Sequence, residues 1–193
     1  GLPVFTPLYK PGTTIHFYSG ASESYQRDAL SGQMRGPYFP IQLETAASKN
    51  EFSCIEGSTL KIGAATILPF KLNHPQGAWG YRIECGGSSI VTAFDREHGV
   101  PEFDRILNEY AQNADILIHD AQYTVEDYPK YKGWGHSTWM EATKVARECN
   151  VNRLVLFHHD PEHDDSAVDR IVTSARTHFE NSVGATEGMI ETA

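Results

Sequence analysis

The sequence predicts a mixed α/β fold (α+β in character), and this prediction comes from the length, the composition and a change of pattern near the middle. The chain has 193 residues, of which 40% are hydrophobic and 21% are charged. These values are typical of a globular protein with a sizeable core. Short β-rich runs dominate up to Phe94, whereas helices and strands alternate after Asp95. Such alternation indicates helices that cover a sheet.

The first half opens with a short strand at residues 13–18, and a surface helix from Ser22 to Met34 follows it. The pairs Gly57-Ser58 and Gly86-Gly87 are typical of hairpin turns. The pattern therefore predicts a mostly antiparallel sheet. Its strands are the β-rich runs bounded by Gly, Pro, Asn or Ser, at 41–46, 51–55, 59–62, 64–72, 79–85 and 88–94.

The second half has the rhythm of helical crossovers between strands. Pro suits a first helical turn, and a Ser before an apolar run is typical of a helix cap. Without an internal repeat or a linker, residues 1–193 are predicted to form a single domain. The predicted elements are a helix over 101–113, a strand over 114–119, a helix capped by Ser137 that reaches Cys149, a strand over 153–157 and a helix over 166–179.

Charge and cysteine content narrow the possible partners. The chain carries 16 Lys and Arg against 25 Asp and Glu, a formal net charge of -9. This acidic balance disfavours long nucleic acid and anionic membranes as partners. No apolar run approaches the ~18 residues of a membrane span. Three cysteines that are far apart fit reduced thiols, which predicts a soluble protein of the cytoplasm.

Histidine and aspartate residues recur at the ends of predicted strands. His119 and His158 directly follow apolar strands, His74 ends the run that begins at Ala65, and Asp95 ends the strand from Ser89. Such strand ends are where sheets with helical crossovers collect their active sites. Imidazole and carboxylate suit zinc, iron or manganese, so the pattern predicts a dinuclear hydrolase site whose two ions lie about 3.5–4 Å apart.

Each of these residues also has a common structural role. A single His after a strand, such as His74, is more often a hydrogen-bonded loop residue. For Asp95 taken alone, a helix N-cap or an Asx-turn is the commoner role. The joint pattern carries the metal interpretation, and the remaining histidines interpreted as non-ligands are His16, His98, His163 and His178.

The order of NHPQG, TAFD, LIHDAQYT, GHST and RLVLFHHDP resembles the metallo-β-lactamase fold in its phosphodiesterase branch, which includes ribonuclease Z. The resemblance implies a four-layer αββα sandwich. It implies that His74 is the third His of the first metal, that Asp95 is the bridging carboxylate, and that His158 is the distal His of the second metal. His158 is preferred to His159 because it directly follows the strand.

The same resemblance implies a catalytic pair. Asp120 corresponds to the acidic residue of the ribonuclease Z motif HEAT, which here is HDAQ, and His136 corresponds to its partner, which faces the scissile phosphate. A carboxylate that holds an imidazole is suitable for acid–base work on a phosphoryl oxygen or a leaving group.

One family signature, HxHxDH, is absent from the sequence. We therefore expect the chain to be the C-terminal portion of a longer hydrolase, with a sandwich that is incomplete at the N-terminus. The segment alone is then expected to be inactive and poor in metal. Its expected partners are the missing N-terminal segment or a second protomer in a homo-oligomer.

The resulting hypothesis is a metal-dependent hydrolase that cleaves a small phosphodiester, a cyclic nucleotide or a nucleic-acid end by means of a dinuclear metal-bound hydroxide. The two ions are expected to be zinc, with manganese or iron possible. Two alternatives stay open. One is hydrolysis of a thioester, lactone or β-lactam on the same fold, and the other is a non-catalytic binding or regulatory domain.

Overall fold

The computed structural model describes residues 6–193. The chain divides into two compact units, with the boundary between Ser58 and Thr59. Each unit has its own sheet. That the whole chain forms a single domain stays a prediction.

The first unit is a β-α-β arrangement with a small core of its own. Strands β1 (Thr14–Ser19) and β2 (Lys49–Cys54) pair in parallel, and helix α1 (Glu23–Gln33) connects them. Phe17 and Phe52 stack across the pair with ring centroids 4.7 Å apart. Parallel strands need such a crossover, so this part is not the antiparallel meander expected from the sequence.

The prediction of a strand at residues 41–46 is wrong. Leu43–Thr45 is instead a short 3-10 helix, as is Pro7–Tyr9. The Thr45 hydroxyl donates to the Gln42 carbonyl at 2.8 Å, and the Thr45 amide donates to the same oxygen at 3.2 Å. Local hydrogen bonds of this kind compete with pairing to a strand.

The second unit contains a seven-stranded sheet in the order β3 to β9. The first four strands form the predicted antiparallel meander, and the remaining pairs, from β6 to β9, are parallel. The strands are β3 (Leu60–Ile62), β4 (Ala65–Leu72), β5 (Ala78–Cys85), β6 (Ser88–Ala93), β7 (Ile116–Asp120), β8 (Arg153–Phe157) and β9 (Ser182–Gly184).

Helices connect the parallel strands, and the three longer ones bury their apolar faces against the sheet. They are α2 (Pro101–Ala111), α3 (Tyr128–Tyr131), α4 (Trp139–Glu148) and α5 (Asp165–Arg176). Leu107, Val145 and Ile171 from three of these helices join one core cluster with Leu117 and Leu154 from the sheet. The mixed α/β class predicted from the sequence is confirmed.

The predicted cap of helix α4 is shifted by one residue. Thr138, not Ser137, accepts the hydrogen bond from the Glu141 amide, at 3.2 Å. The hydroxyl of Ser137 donates instead to the Arg96 carbonyl at 2.7 Å. Ser137 therefore links the segment before α4 to the loop after β6.

Within residues 6–193, no helix combines the length and the apolar character needed to cross a membrane.

The position of Gly80 in β5 requires a residue without a side chain. A Cβ there would overlap the ring of Phe70 on β4 and would lie 2.7 Å from the Thr92 carbonyl oxygen. We expect Gly80→Ala to lower the free energy of unfolding by about 1–3 kcal/mol, because overpacking forces a core ring to move. Urea unfolding measures this difference.

Gly32→Ala is the matched control. Gly32 lies in α1, and apart from the helix's own backbone and its chain neighbours, nothing stands within 4 Å of its Cβ position. Alanine should stabilise that helix by up to about 1 kcal/mol. Equal effects of the two substitutions would contradict the packing argument.

Candidate metal centre and active site

Parallel pairing brings the ends of three strands to one edge of the sheet. Ala93 on β6 stands opposite His119 on β7, and Asp120 on β7 stands opposite Phe157 on β8. Asp95 and His158 follow these strands within two residues. The carboxyl ends of parallel strands are the usual place for a ligand site.

Four side chains meet at this edge: Asp95, Asp120, His136 and His158. Each offers one oxygen or nitrogen, and these atoms all lie within 4.8 Å of one another. Asp95 Oδ1 is 3.0 Å from His158 Nε2 and 3.9 Å from His136 Nδ1. The structure thus brings together four of the five residues predicted from the sequence.

Unusual backbone conformations accompany two of the four. Asp95 has φ 50° and His158 has φ 60°, in the left-handed region that costs a non-glycine residue roughly 1–2 kcal/mol. Such conformations cluster at functional sites. Here they occur where the chain leaves β6 and β8, next to the two side chains that face each other.

Asp120 is fully buried, and both of its carboxylate oxygens are occupied by donors of the chain. Oδ1 accepts from the amides of Gln122 and Ser137, at 3.2 and 3.0 Å. Oδ2 accepts from His136 Nδ1 at 2.7 Å and from the Arg96 amide at 3.4 Å. This carboxylate is therefore arranged to hold its neighbours, and the expected contact with His136 is present.

His136 is oriented by that contact. Its Nδ1–H donates to Asp120, which leaves Nε2 available to another group. The ring stacks on His158 with centroids 4.6 Å apart. Burial lowers the pKa of His136, but the hydrogen bond to Asp120 and the charges of Asp120, Asp95 and Glu97 outweigh it, so the net pKa is raised.

His74 lies beside the group of four rather than within it. Its ring centroid is 5.7 Å from that of His136, and its Nδ1 accepts from the Gln76 amide at 3.3 Å. The ring edge packs against Gly135, where a Cβ would lie 2.7 Å from His74 Nε2 and 2.8 Å from Pro75 Cδ. The metal role assigned to His74 stays a prediction, as do the roles of the other four.

A buried layer beneath the site was missed by the sequence analysis. His119, named there as a strand-end residue, is fully buried, and its Nδ1 is 2.6 Å from the Asp120 carbonyl oxygen. Its Nε2 is 3.0 Å from a guanidinium nitrogen of Arg96, a group that can only donate. His119 is therefore neutral with the proton on Nδ1, and Arg96 forms a further ion pair with Asp104.

Glu97 was also missed, although it organises the loop that carries His136. Its carboxylate accepts from the amides of Gly133 and Gly135, at 2.7 and 3.1 Å, and from the Tyr128 hydroxyl at 3.0 Å. Glu97 is almost fully buried. The sequence signal was the charged pair Arg96-Glu97 directly after an apolar strand, where buried charges must have partners.

A cleft of about 530 Å³ adjoins the centre, because His74 lies in its wall. Its lining combines an aromatic pair, a cation and apolar groups. His98 and Tyr128 stand with ring centroids 4.3 Å apart, and Lys132 and Val100 are further wall residues. Small-molecule sites commonly have volumes of roughly 300–1,000 Å³.

The sequence model of one protein family, the beta-lactamase superfamily domain, matches residues 14–159 of this chain. The chain belongs to the beta-lactamase superfamily. The match covers the strand-end residues and both halves of the Asp120–His136 pair. Within the superfamily, the chain resembles the ribonuclease Z-like branch, as the sequence motifs predict.

Individual relatives agree with this assignment. The ribonuclease Z of Thermoplasma acidophilum is 37% identical over 79 residues, which is 41% of this chain and 25% of that protein. The chain therefore matches about a quarter of that relative's length. The metallo-β-lactamase fold protein YhfI from Bacillus subtilis superposes with a TM-score of 0.69 at 20% identity, over 91% of this chain and 64% of that one.

A third relative extends over nearly the whole chain. A diphosphatase of the PhnP family superposes with a TM-score of 0.63 at 15% identity, over 99% of this chain and 64% of that one. Identities this low establish the fold alone. The superpositions confirm the metallo-β-lactamase fold that the resemblance implied.

The residues present in this superfamily member fit a divalent-metal site. Asp95 is half exposed, and its close polar contact is His158 Nε2 at 3.0 Å. Imidazole nitrogens with a shared carboxylate are the donor set that zinc, iron and manganese prefer. Asp120 fits less well as a ligand, because its oxygens already accept four hydrogen bonds.

Two glycines of the His136 loop form a matched pair that tests the role of His74. Gly133 and Gly135 have φ of 92° and 96°, and both amides donate to Glu97. Only the Cβ of Gly135→Ala would strike His74. If His74 is a ligand, we expect Gly135→Ala to weaken zinc binding by at least tenfold more than Gly133→Ala, as measured by competition with a chromogenic chelator. Equal zinc affinities would remove His74 from the ligand set.

Burial of His119 predicts that stability falls in mild acid. Burial, with the charges of Arg96 and His98 as smaller causes, lowers the pKa of His119 to about 3, although the backbone contact with Asp120 opposes this shift. Its unfolded pKa is about 6.5, so the unfolded chain takes up the proton first as pH falls. Stability is therefore full above about pH 6.5, and about 2 kcal/mol should be lost by pH 5. Urea unfolding at the two pH values checks this loss.

The His119 ring resonance in NMR provides the direct control. We expect it to show no titration between pH 7.5 and 5 in the folded protein. A midpoint near 6.5 would contradict the buried neutral state.

Proposed function

We propose that this chain acts in metal-dependent hydrolysis of a small phosphodiester. The observation that carries the proposal is the Asp120–His136 hydrogen bond of 2.7 Å, which lies beside the facing Asp95 and His158. The first pair provides an oriented imidazole, and the second provides metal donors. The names of two relatives, a ribonuclease Z and a diphosphatase, support chemistry at a phosphate.

Asp95, His158 and His74 would hold the metal, with Asp95 shared between two ions that we propose to be zinc. Bound ions of this kind supply Lewis acidity to a phosphoryl oxygen and lower the pKa of water. The chain's own contribution is to hold the carboxylate and the imidazole of His158 within 3.0 Å of each other at the end of the sheet. Left-handed turns at both residues fix that approach.

His136 would act on the phosphate directly. Because Asp120 binds its Nδ1–H, the imidazole can donate or receive a proton only at Nε2. Asp120 is itself held by three backbone amides, so the ring has one preferred orientation. We propose that Nε2 donates to a phosphoryl oxygen or to the departing oxygen.

A small substrate fits this chain better than a long polyanion. The net charge of -9 opposes a general attraction to nucleic acid. The cleft of about 530 Å³ next to His74 has room for an organic group attached to the phosphate. We propose a cyclic nucleotide, a short nucleic-acid end or a similar small diester.

The cysteines support a reducing compartment. Cys54, Cys85 and Cys149 are all free, and the first two are exposed. Exposed thiols persist in the cytoplasm more readily than in oxidising compartments. We propose a cytoplasmic location.

His136→Ala tests the catalytic role. With the whole protein assembled, we expect turnover of bis(p-nitrophenyl) phosphate to fall by roughly 10²–10⁴-fold, the usual size of an acid–base contribution, with metal content unchanged. Absorbance at 405 nm follows the reaction, and elemental analysis gives the metal content.

His16→Ala is the control variant. His16 lies on β1 in the first unit, pairs with Glu51 at 3.0 Å, and is not one of the four residues of the centre. It should leave turnover and metal content unchanged. Loss of metal together with activity in His136→Ala would make His136 a ligand and overturn its proposed role.

A further inference from the structure

The loop that delivers His136 also carries an exposed tryptophan. Trp134 is 64% exposed, two residues before His136. Single exposed apolar residues need no explanation, but this indole is part of an ordered series of rings. It meets the ring of Tyr131 edge-on, with centroids 5.4 Å apart and planes at 74°.

The series continues inward to the catalytic histidine. Tyr131 stacks on Tyr123 with centroids 4.8 Å apart and planes within 10°. Tyr123, which is almost fully buried, meets the ring of His136 edge-on at 6.0 Å. Trp134 is thus the outer end of a row of packed rings that begins at His136.

The backbone on both sides of Trp134 is fixed by one buried carboxylate. Gly133 and Gly135 each donate an amide hydrogen to Glu97, and the Trp134 amide donates to the Tyr131 carbonyl at 3.0 Å. The indole is therefore presented by a rigid turn. A rigid aromatic surface loses little conformational entropy when a ligand binds to it.

The same loop also carries a positive charge. Lys132, in the same loop, lines the cleft that also contains His74. An aromatic face and a cation beside a phosphate-directed histidine correspond to the two parts of a nucleotide, its flat base and its anionic phosphate.

We propose that Trp134 is the stacking platform for the base of a nucleotide-containing phosphodiester, with Lys132 attracting its phosphate. This inference rests on the proposed function and narrows its substrate class. Trp134 and His136 lie two residues apart in one loop, so the proposal places the base and the phosphate of one nucleotide on these two side chains. The platform would favour nucleotides over diesters without a base.

The test compares two ligands that share a phosphate and a ribose and differ only in the base, adenosine 5′-monophosphate and ribose 5-phosphate. Isothermal titration calorimetry measures both dissociation constants for the metal-loaded protein. We expect Trp134→Ala to weaken binding of adenosine monophosphate by roughly 5- to 100-fold, the usual range for loss of one stacked base, and to leave ribose 5-phosphate unchanged. Trp134→Phe should recover most of the affinity.

Trp79→Phe is the matched control. Trp79 lies on β5, with Lys71 over its ring at 5.5 Å, and it should alter neither dissociation constant. Circular dichroism verifies that all variants are folded. Equal loss for both ligands in Trp134→Ala, or no loss for either, would overturn the platform.

Hydrolysis of 2′,3′-cyclic adenosine monophosphate separates this inference from the proposed function. A Trp134-dependent affinity for adenosine monophosphate without hydrolysis of any diester would refute the proposed function and keep the platform. Hydrolysis with a KM that Trp134→Ala leaves unchanged would support the proposed function and refute the platform. We expect KM to rise in Trp134→Ala while kcat changes less than twofold, because the indole touches the base and not the reacting atoms.

Discussion

The arrangement of the site depends on the buried carboxylate of Asp120. A carboxylate without solvent is costly unless its lone pairs are satisfied, and here the donors come from three different loops. The Arg96 amide follows β6, the Gln122 amide follows β7, and His136 and Ser137 precede α4. Satisfying one charge therefore fixes the relative positions of all three loops.

The same constraint sets the chemistry. Beneath Asp120, Arg96 and His119 are almost fully buried, and Arg96 lies between His119 and the partly exposed Asp104, so this layer offers little freedom to rearrange. His136 is held on one nitrogen and open on the other. Asp95 and His158, by contrast, are partly exposed and held mainly by their turns. The site thus combines a rigid acid–base pair with donors that remain accessible to a metal.

Much of the fold and part of the candidate site could be predicted from the sequence. Hydrophobic periodicity and turn residues predict strands β3 to β8, helices α1, α2, α4 and α5, and the strand-end positions of Asp95 and His158. The short strand β9 and the short helix α3 were not predicted. The pairing of Asp120 with His136 came from family motifs, since no local rule joins residues sixteen positions apart. Local hydrogen bonds overrode the strand expected at 41–46.

The residues that the sequence analysis missed were missed for the same reason. Glu97 and Arg96 look like surface charges in the sequence, and only tertiary packing shows that both are buried. Their partners, Gly133, Gly135 and His119, lie 23 to 38 positions away. Trp134 is the opposite case, because a large apolar side chain is usually well buried and the structure exposes this one. Burial of a charge and exposure of an indole are properties of the assembled fold.

A double-mutant cycle on Asp120 and His136 tests the central claim most directly. The measured quantity is kcat/KM for bis(p-nitrophenyl) phosphate in Asp120→Asn, His136→Ala and the double variant, with folding verified by circular dichroism. If Asp120 acts through His136, the double variant should be no worse than His136→Ala within about threefold. Losses that multiply would show that Asp120 acts independently of His136 and would contradict the account.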